Sequence, residues 1–495
     1  MFKATFVLIV LAFVIRILFI FQGGVSLHYD MARDAFEAKQ IWKDHHLKIL
    51  GPPTSTPGLY HGVLYYYLIA PFYMLGNGDP RVVAVFFSLL NSLVLIPIML
   101  LAKDIFKSNK WVFLSGLFFA ISFEGTQYGP WLSNPAPAAL TVAFFFYSLR
   151  LWQKKKKYGL FFAVFFAALS TQFQFFLIYL FILIPIFGIM FKIKTSIKSI
   201  VTSFLIVIFG LINFFIAAFK FKTFGNIFSG FLNISTTGQI DFRPQFSELV
   251  LNYVNRLTEL FVFNFFPTNV LLGGILAILV LYFIRRERLL LFFLFSNLFI
   301  FIFGGHTNTY ANIGLVLPAI LSVVYFLREI WKVNKLLVYV VIFLMFISNI
   351  YAIYQYNPEG QLILVIPNDM NLKNELSLID KTYELAQNQP FSINTLTLPL
   401  WTNTTWAYLY SWYGYNKYGY VPNFYGHNQV GLLGAESLKL EKKPLNNTFF
   451  IIEPHVGIPE DSFVLEIGSE NSKTRLIKEY SYGQLKLQFR KPISE

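Results

Sequence analysis

The chain has 495 residues, 56% of them hydrophobic and 13% charged, with 58 Phe and no Cys, whereas a soluble domain carries roughly 25% charged residues. That deficit excludes a single water-soluble core, and the absence of cysteine excludes disulfides and thiolate metal sites. The formal net charge of +14 does not point to nucleic acid, because Lys and Arg stand in short clusters between apolar runs, the pattern that orients membrane helices.

Apolar runs recur at close to the roughly 20 residues that span a hydrocarbon core of about 30 Å. The first, Thr5 to Phe21, resembles a signal peptide, but Arg16 interrupts it and no small-x-small cleavage site follows, so it reads as a retained first helix. The run His28-Tyr29-Asp30-Met31-Ala32-Arg33-Asp34-Ala35-Phe36-Glu37 is the densest polar group. On a helix, Asp30 and Asp34 project from one face at the outer membrane surface. Such a pair suits a general base or a cation site; alternatively, Arg33 and Lys39 neutralise it on a solvated interfacial helix. The segment Gly58 to Pro71 is apolar and aromatic, too short to span, and flanked by Gly51-Pro52-Pro53 and Gly76-Asn77-Gly78-Asp79-Pro80. It is expected in the interface, its Tyr rings at headgroup level, as one wall of an outward-facing cleft.

Further spans are expected at Arg81 to Ala102, Trp111 to Phe123, Pro135 to Leu151, Tyr158 to Thr171, Phe175 to Phe191 and Ile197 to Phe219. Four more follow, Val270 to Ile284, Leu289 to Phe303, Ile313 to Leu327 and Leu336 to Tyr356, which makes about eleven helices. Alternate loops hold the basic clusters: Lys103, Lys107 and Lys110; Arg150 and Lys154 to Lys157; Lys192, Lys194 and Lys198; Arg285, Arg286 and Arg288; Arg328, Lys332 and Lys335. By the positive-inside rule these loops are cytoplasmic. The chain then reads as a multi-pass plasma-membrane protein, N-terminus inside, with a membrane domain over 1–356 and a soluble extracytoplasmic domain over 357–495.

The outer face receives three long segments, Gln22 to Pro80, Lys220 to Thr268 and Asn357 to Glu495. Chemistry belongs there. The tail has a helix-like stretch at Asn374 to Gln387 and strand-like runs at Phe391 to Leu398, Thr448 to Ile452 and Gln484 to Phe489, as in a small α/β domain. It is unusually aromatic from Trp401 to Tyr425, with rings that either stack on sugars or form a core resting on the membrane. No P-loop, dinucleotide glycine motif or HExxH motif appears.

The order of segments carries a resemblance. A first helix, an Asp-x-x-x-Asp-Ala helix, Gly62-Val63-Leu64-Tyr65-Tyr66-Tyr67, then Gly76-Asn77-Gly78-Asp79-Pro80-Arg81 opening the second span, is similar to the C-type glycosyltransferase superfamily. Within it, the likeness is greatest to the protein O-mannosyltransferase and lipid A aminoarabinose transferase branch. It extends through Trp131-Leu132-Ser133-Asn134-Pro135 and Gln172-Phe173-Gln174 and fades over the later spans.

The resemblance implies a polytopic α-helical fold of that type, with interfacial helices in the first outer loop, and a polyprenyl-phosphate sugar as donor. It further implies action on the outer face on a protein, lipid or glycan acceptor, an inverting mechanism, and an essential Asp in the first outer loop. Asp30 falls where that Asp belongs, with Asp34 as its neighbour. Glu124 stands where related enzymes have a second acidic residue near the outer end of the third span, and it also reads as a helix-end carboxylate facing water. The chain departs from its relatives at His61-Gly62-Val63-Leu64, where the aminoarabinose branch often has Lys-Pro-Pro-Leu, and at His306-Thr307-Asn308-Thr309-Tyr310, where relatives often place a basic residue before a Tyr. Candidates for the donor phosphate are therefore His61, Arg81, Arg243, Arg256, His306 and Tyr310. His306 reads equally as a helix cap, and the arginines as contacts to lipid headgroups. A divalent cation held by Asp30, Asp34 or Glu124 is compatible with this reading but not required by it. The rival is a polytopic transporter or lipid flippase; the acidic residues cluster in outer loops rather than at the midplane, and the chain shows no clear halves.

Overall fold

The computed structural model describes residues 2–54, 58–222, 245–304, 308–365 and 368–493. The membrane part begins with α1 (Phe2–Ile17), α2 (Tyr29–Trp42), α3 (Leu64–Leu75), α4 (Pro80–Ser92), α5 (Leu95–Phe106) and α6 (Asn109–Ala120). It continues through α7 (Phe123–Tyr128), α8 (Ala138–Gln153), α9 (Gly159–Phe173), α10 (Leu180–Met190), α11 (Ile197–Gly210) and α12 (Ile212–Phe221). After the undescribed 223–244 come α13 (Phe246–Phe265), α14 (Val270–Ile284), α15 (Arg288–Leu294), α16 (Leu298–Gly304), α17 (Val316–Trp331) and α18 (Lys335–Tyr356).

Among the described residues, three helices are long and apolar enough to cross a membrane, Phe2–Gln22, Pro80–Phe106 and Lys335–Glu359, and up to five if the pairs α11–α12, bent by 51°, and α13–α14, bent by 108°, each count as one. Helix length therefore does not establish the expected count of about eleven. Several apolar runs are interrupted: Phe175–Phe191 opens with a 3-10 turn, and Leu289–Phe303 breaks at the turn 295–297. Large apolar side chains stay exposed along these helices, among them Phe209 (70%), Phe219 (80%) and Ile278 (70%). Such surface is costly in water and ordinary in lipid.

Helix α13 corrects the expectation of an outer loop over Lys220 to Thr268. Its 20 residues open on a Gln245–Glu248 capping box and bury Tyr253, Leu257, Leu260, Phe261 and Phe265. That is a helical apolar face. Glu248, Asn255, Arg256 and Glu259 on the other faces lower its mean hydropathy and hide it.

Arg16, buried within the bundle, has a structural role. Its Nε donates to Asn91 Oδ1 at 2.6 Å, Nη1 to Ala12 O at 3.0 Å and Ala120 O at 3.1 Å, and Nη2 to Phe119 O at 3.1 Å. The last two carbonyls end α6, where unpaired C=O groups and the negative pole of the helix favour a cation. One guanidinium thus pins α1, α4 and α6 together.

The basic loops gather at one end of the bundle. Lys154 Nζ meets Asp104 at 2.8 Å, Lys110 lies over the ring of Trp331, and Tyr325 donates to Glu287 at 2.8 Å. The first long loop and the tail occupy the other end.

The tail begins with α19 (Leu372–Ala386) and continues through β1 (Ser392–Leu396), α20 (Thr404–Leu409), α21 (Tyr415–Tyr418), β2 (Asn423–Phe424), β3 (Thr448–Ile452), α22 (Glu460–Lys473), β4 (Thr474–Tyr482) and β5 (Leu485–Pro492). The five strands are ordered β2-β1-β3-β5-β4. Strand β1 runs parallel to β2 and β3, whereas β5 runs antiparallel to β3 and β4. The expected helix and three strands are present; β4 escaped sequence reading because it is a charged edge strand, exposed along most of its length. The aromatic run mostly builds the core: Trp406, Tyr408 and Tyr410 are buried, while Trp401 and Tyr415 are exposed.

Backbone bonds stitch the tail to the first loop, Leu372 N to Val25 O at 2.9 Å and Leu27 N to Met370 O at 3.1 Å. Phe36 of α2 meets Tyr408 edge-on at 5.5 Å, and the Tyr408 hydroxyl donates to Gly78 O.

Of the three carboxyl groups that the tail buries, Glu470 is paired with Arg490, whereas Glu375 and Glu453 have no ion pair among the described residues. Glu375 has no hydrogen-bond partner for either oxygen among the described residues, and burial raises it well above the carboxylate range. Glu453 accepts from Leu398 N at 2.8 Å and from Trp406 Nε1 at 3.0 Å, yet burial still pushes it from 4.5 up to about 7. The folded chain holds that proton more tightly than the unfolded one, so the stability it contributes is full below about pH 4.5 and lost as pH rises through about 7, on the order of 3 kcal/mol. Glu453→Gln is expected to flatten the fall in melting temperature of the tail between about pH 5 and 8. A wild-type melting temperature that does not change over that interval would refute this.

Candidate active site

His28 caps α2, its Nδ1 accepting from Asp30 N at 3.4 Å, so Asp30 enters the first turn at the positive helix pole. The next turns bury Met31, Ala32, Ala35, Phe36 and Ala38 against α3 and the tail. Asp30 is left at the open end with its side chain 56% exposed.

Arg33 bridges the two aspartates. Its Nη1 meets Asp30 Oδ1 at 2.6 Å, and its Nε and Nη2 meet Asp34 Oδ1 at 2.9 and 2.7 Å. Tyr66 donates a further bond to Asp34 at 3.3 Å. Burial drives Asp34 upward and Arg33 pulls it back, with the outcome at about 7. The two carboxylates therefore share a helix but not a surface: Asp30 is open and Asp34 lies behind Arg33 and Tyr66. Of the two expected neutralising cations, Arg33 takes that part, while Lys39 lies over the Phe36 ring. Tyr65 and Tyr66 correct another expectation. They are buried rather than at headgroup level, because α3 packs on α2 and supplies the hydroxyl that Asp34 needs.

Asp30 lines a cavity of about 540 Å³. Its walls come from the start of α2, from Pro53, Thr54, Leu59 and His61, from the 131–135 and 174–176 turns, from Tyr310, and from Leu364 and Val365 of the tail. His61 Nδ1 accepts from Phe175 N at 3.0 Å, so the neutral ring carries its proton on Nε2. Gly62 beside it must be glycine, since a Cβ would fall 2.1 Å from Gln172 Oε1 and 2.5 Å from Gln172 Cα.

Trp131 and Tyr310 rings lie 6.2 Å apart, and Phe176 stacks on Tyr310 at 6.1 Å. The Tyr310 hydroxyl accepts from Asn308 at 2.7 Å; burial above all, with a small push from Asp30, holds it above its ordinary value. Asn134 Nδ2 donates to Gln174 Oε1 at 2.5 Å and to Phe173 O at 2.7 Å. Trp131 Nε1 is buried with no hydrogen-bond partner among the described residues, an indole donor left for a ligand in the wall of the cavity.

The cavity thus brings together Asp30, His61 and Tyr310 and leaves out other expected residues. Glu124 on α7 is buried, not facing water, and takes a bond from Asn264 Nδ2. Arg81 is paired with Asp79 at 2.7 Å and lies over Trp412 at the tail junction. Arg256 is paired with Glu259 at 2.5 Å and donates to Thr309 at 2.9 Å, next to the turn that bears Tyr310 but outside the cavity wall. Arg243 and His306 lie outside the described residues. Among the described residues, no group of three or more His, Asp or Glu side chains could hold a metal ion.

Sequence reasoning assigned no role to Trp131, Asn134, Gln174, His28 or Tyr29. The signal for the first three was a Trp and two amides in short non-helical segments between apolar runs, where lipid gives no reason for them.

No family model matches the sequence, and no curated protein does. Among solved structures, the chain is similar to ArnT from Cupriavidus metallidurans bound to undecaprenyl phosphate, with a TM-score of 0.59 and 10% identity over 98% of this chain and 97% of that one. The apo structure of the same protein matches with a TM-score of 0.57 and 9% identity over the same shares. The shared fold extends over nearly the whole chain, including the later spans, where the first-loop motifs fade.

Proposed function

We propose that the chain is a membrane glycosyltransferase that moves a sugar from a polyprenyl-phosphate donor to an acceptor on the outer face, with inversion and with Asp30 as base. In this reading about eleven spans form a catalytic domain over 1–356, the basic end is cytoplasmic, and 357–495 lies outside. The observation that carries it is the exposed Asp30 carboxylate in the wall of a cavity of about 540 Å³. The fold shared with a protein whose structure holds undecaprenyl phosphate supports it.

In the step proposed, an acceptor hydroxyl or amine attacks the anomeric carbon, the bond from that carbon to the phosphate oxygen breaks, and Asp30 takes the acceptor proton. A single displacement inverts the anomeric centre. Charge grows on the departing phosphate, which needs donors; Trp131 Nε1 is suited to it, with His61 in the same wall. Asp34 is a positioning residue here, holding Arg33 and through it Asp30. Glu124 has no part in the step.

The test is to incubate purified protein with polyprenyl-phosphate sugars and measure released polyprenyl phosphate. Release that requires Asp30 supports the transferase; movement of lipid across the bilayer without release favours a carrier. Arg16, the buried charge a carrier would need, is tied to backbone carbonyls instead. Loss of release on chelation would add a labile cation at Asp30, and unchanged release would exclude one. Trp131→Phe keeps the ring and removes the donor, so KM for the donor lipid is expected to rise about tenfold with a smaller change in kcat. An unchanged KM would remove Trp131 from donor binding.

A further inference from the structure

The tail carries a cluster that the transfer step does not use. Trp401 follows β1 with φ of 62°, a left-handed conformation that a bulky side chain adopts rarely and under strain. The backbone is held there by Gln429, whose Nε2 donates to Trp401 O at 2.9 Å and whose Oε1 accepts from Asn403 N at 2.8 Å. The indole is 52% exposed, yet its direction is fixed, because Nε1 donates to Glu466 Oε1 at 2.7 Å. Glu466 on α22 also meets His427 Nε2 at 3.0 Å, and the Trp401 and His427 rings lie 5.4 Å apart. Gln429 stands at the same time in the wall of a cavity of about 250 Å³ with Asn403, Thr404 and Asn428.

Strain, exposure and a fixed ring plane coincide at one residue. A core-packing role would bury the ring, and an idle surface ring would not be held in one plane by a hydrogen bond from its own nitrogen.

We propose that Trp401, His427, Glu466 and the largely apolar cavity beside them, with Asn403, Asn428 and Gln429 in its wall, form a binding subsite for a neutral oligosaccharide. A pyranose presents an apolar C–H face that stacks on an indole, and a rim of hydroxyls that pair with a carboxylate, an imidazole and amides. Lipid is the less suitable occupant: Glu466 sets a carboxylate beside the indole, and anionic headgroups would be repelled. The same charge selects against acidic sugars. The subsite goes beyond the proposed transfer reaction, since binding there needs neither the donor lipid nor Asp30.

The experiment is calorimetric titration of the full chain in nanodiscs with chitotriose, cellotriose and mannotriose, each to about 10 mM, enough to saturate a Kd near 1 mM. At least one trisaccharide is expected to bind. Trp401→Ala should weaken it at least about tenfold, Trp401→Phe, which keeps a flat ring, should weaken it less, and Asp30→Asn should bind as wild type. No heat with any of the three, or equal affinity in Trp401→Ala, overturns the proposal. Loss of binding in Asp30→Asn also overturns it, because the sugar would then occupy the cavity at α2. Nanodiscs of brominated lipid supply a second readout: quenching of the fluorescence component that Trp401→Phe removes would put the indole in the bilayer and overturn the subsite, and its absence supports it.

Discussion

Asp30→Asn is expected to slow polyprenyl-phosphate release by about a hundredfold or more and to leave the melting temperature unchanged. The amide keeps the shape of the side chain and can no longer accept the acceptor proton. The fold should tolerate it, because Asp30 is largely exposed and Arg33 keeps its two bonds to Asp34. A folded Asp30→Asn protein that releases polyprenyl phosphate at the wild-type rate removes this carboxylate from the mechanism. Equal loss of activity and stability would instead give Asp30 a structural role.

Arg16→Met is expected to cost roughly 3 kcal/mol or more of stability. Methionine fills similar space but donates nothing, which strands Asn91 Oδ1 and removes the side-chain donors to the carbonyls of Phe119 and Ala120 inside the bundle. Arg16→Lys should recover part of the loss, since a single ammonium cannot reach acceptors on both α4 and α6 in the planar geometry that the guanidinium uses. Thermal unfolding in detergent measures both. Substitution without effect would mean that water or another group satisfies those carbonyls.

Residues whose surroundings are local were legible in the sequence. Asp30 leaves the first span in a polar helix, and nothing within a few residues could bury it. Asp34 shows the limit: its spacing from Asp30 gives the shared helix, but the group that covers it, Tyr66, comes from 32 residues away. Arg16 was visible as a charge and not as a cap, because the carbonyl it caps belongs to Phe119, at a separation of 103 residues. Polar residues on the outer faces of α13 concealed a helix that hydropathy does not register, and the charged face of β4 concealed a strand. The cavity itself is assembled from turns distant along the chain. Trp131 and Gln174 therefore gave no hint of meeting Tyr310 or Asp30.

Phe36 resting on Tyr408 has one more consequence. The helix that presents the Asp30 carboxylate leans on the same rings that let the tail fold, so the tail is not a detachable accessory. A chimera that borrows it from a relative would have to import a matching bearing surface or lose the placement of Asp30. The segment 427–431 is tied into that bearing as well, since Gln429 accepts from Asn403 N at the start of the helix that carries Tyr408.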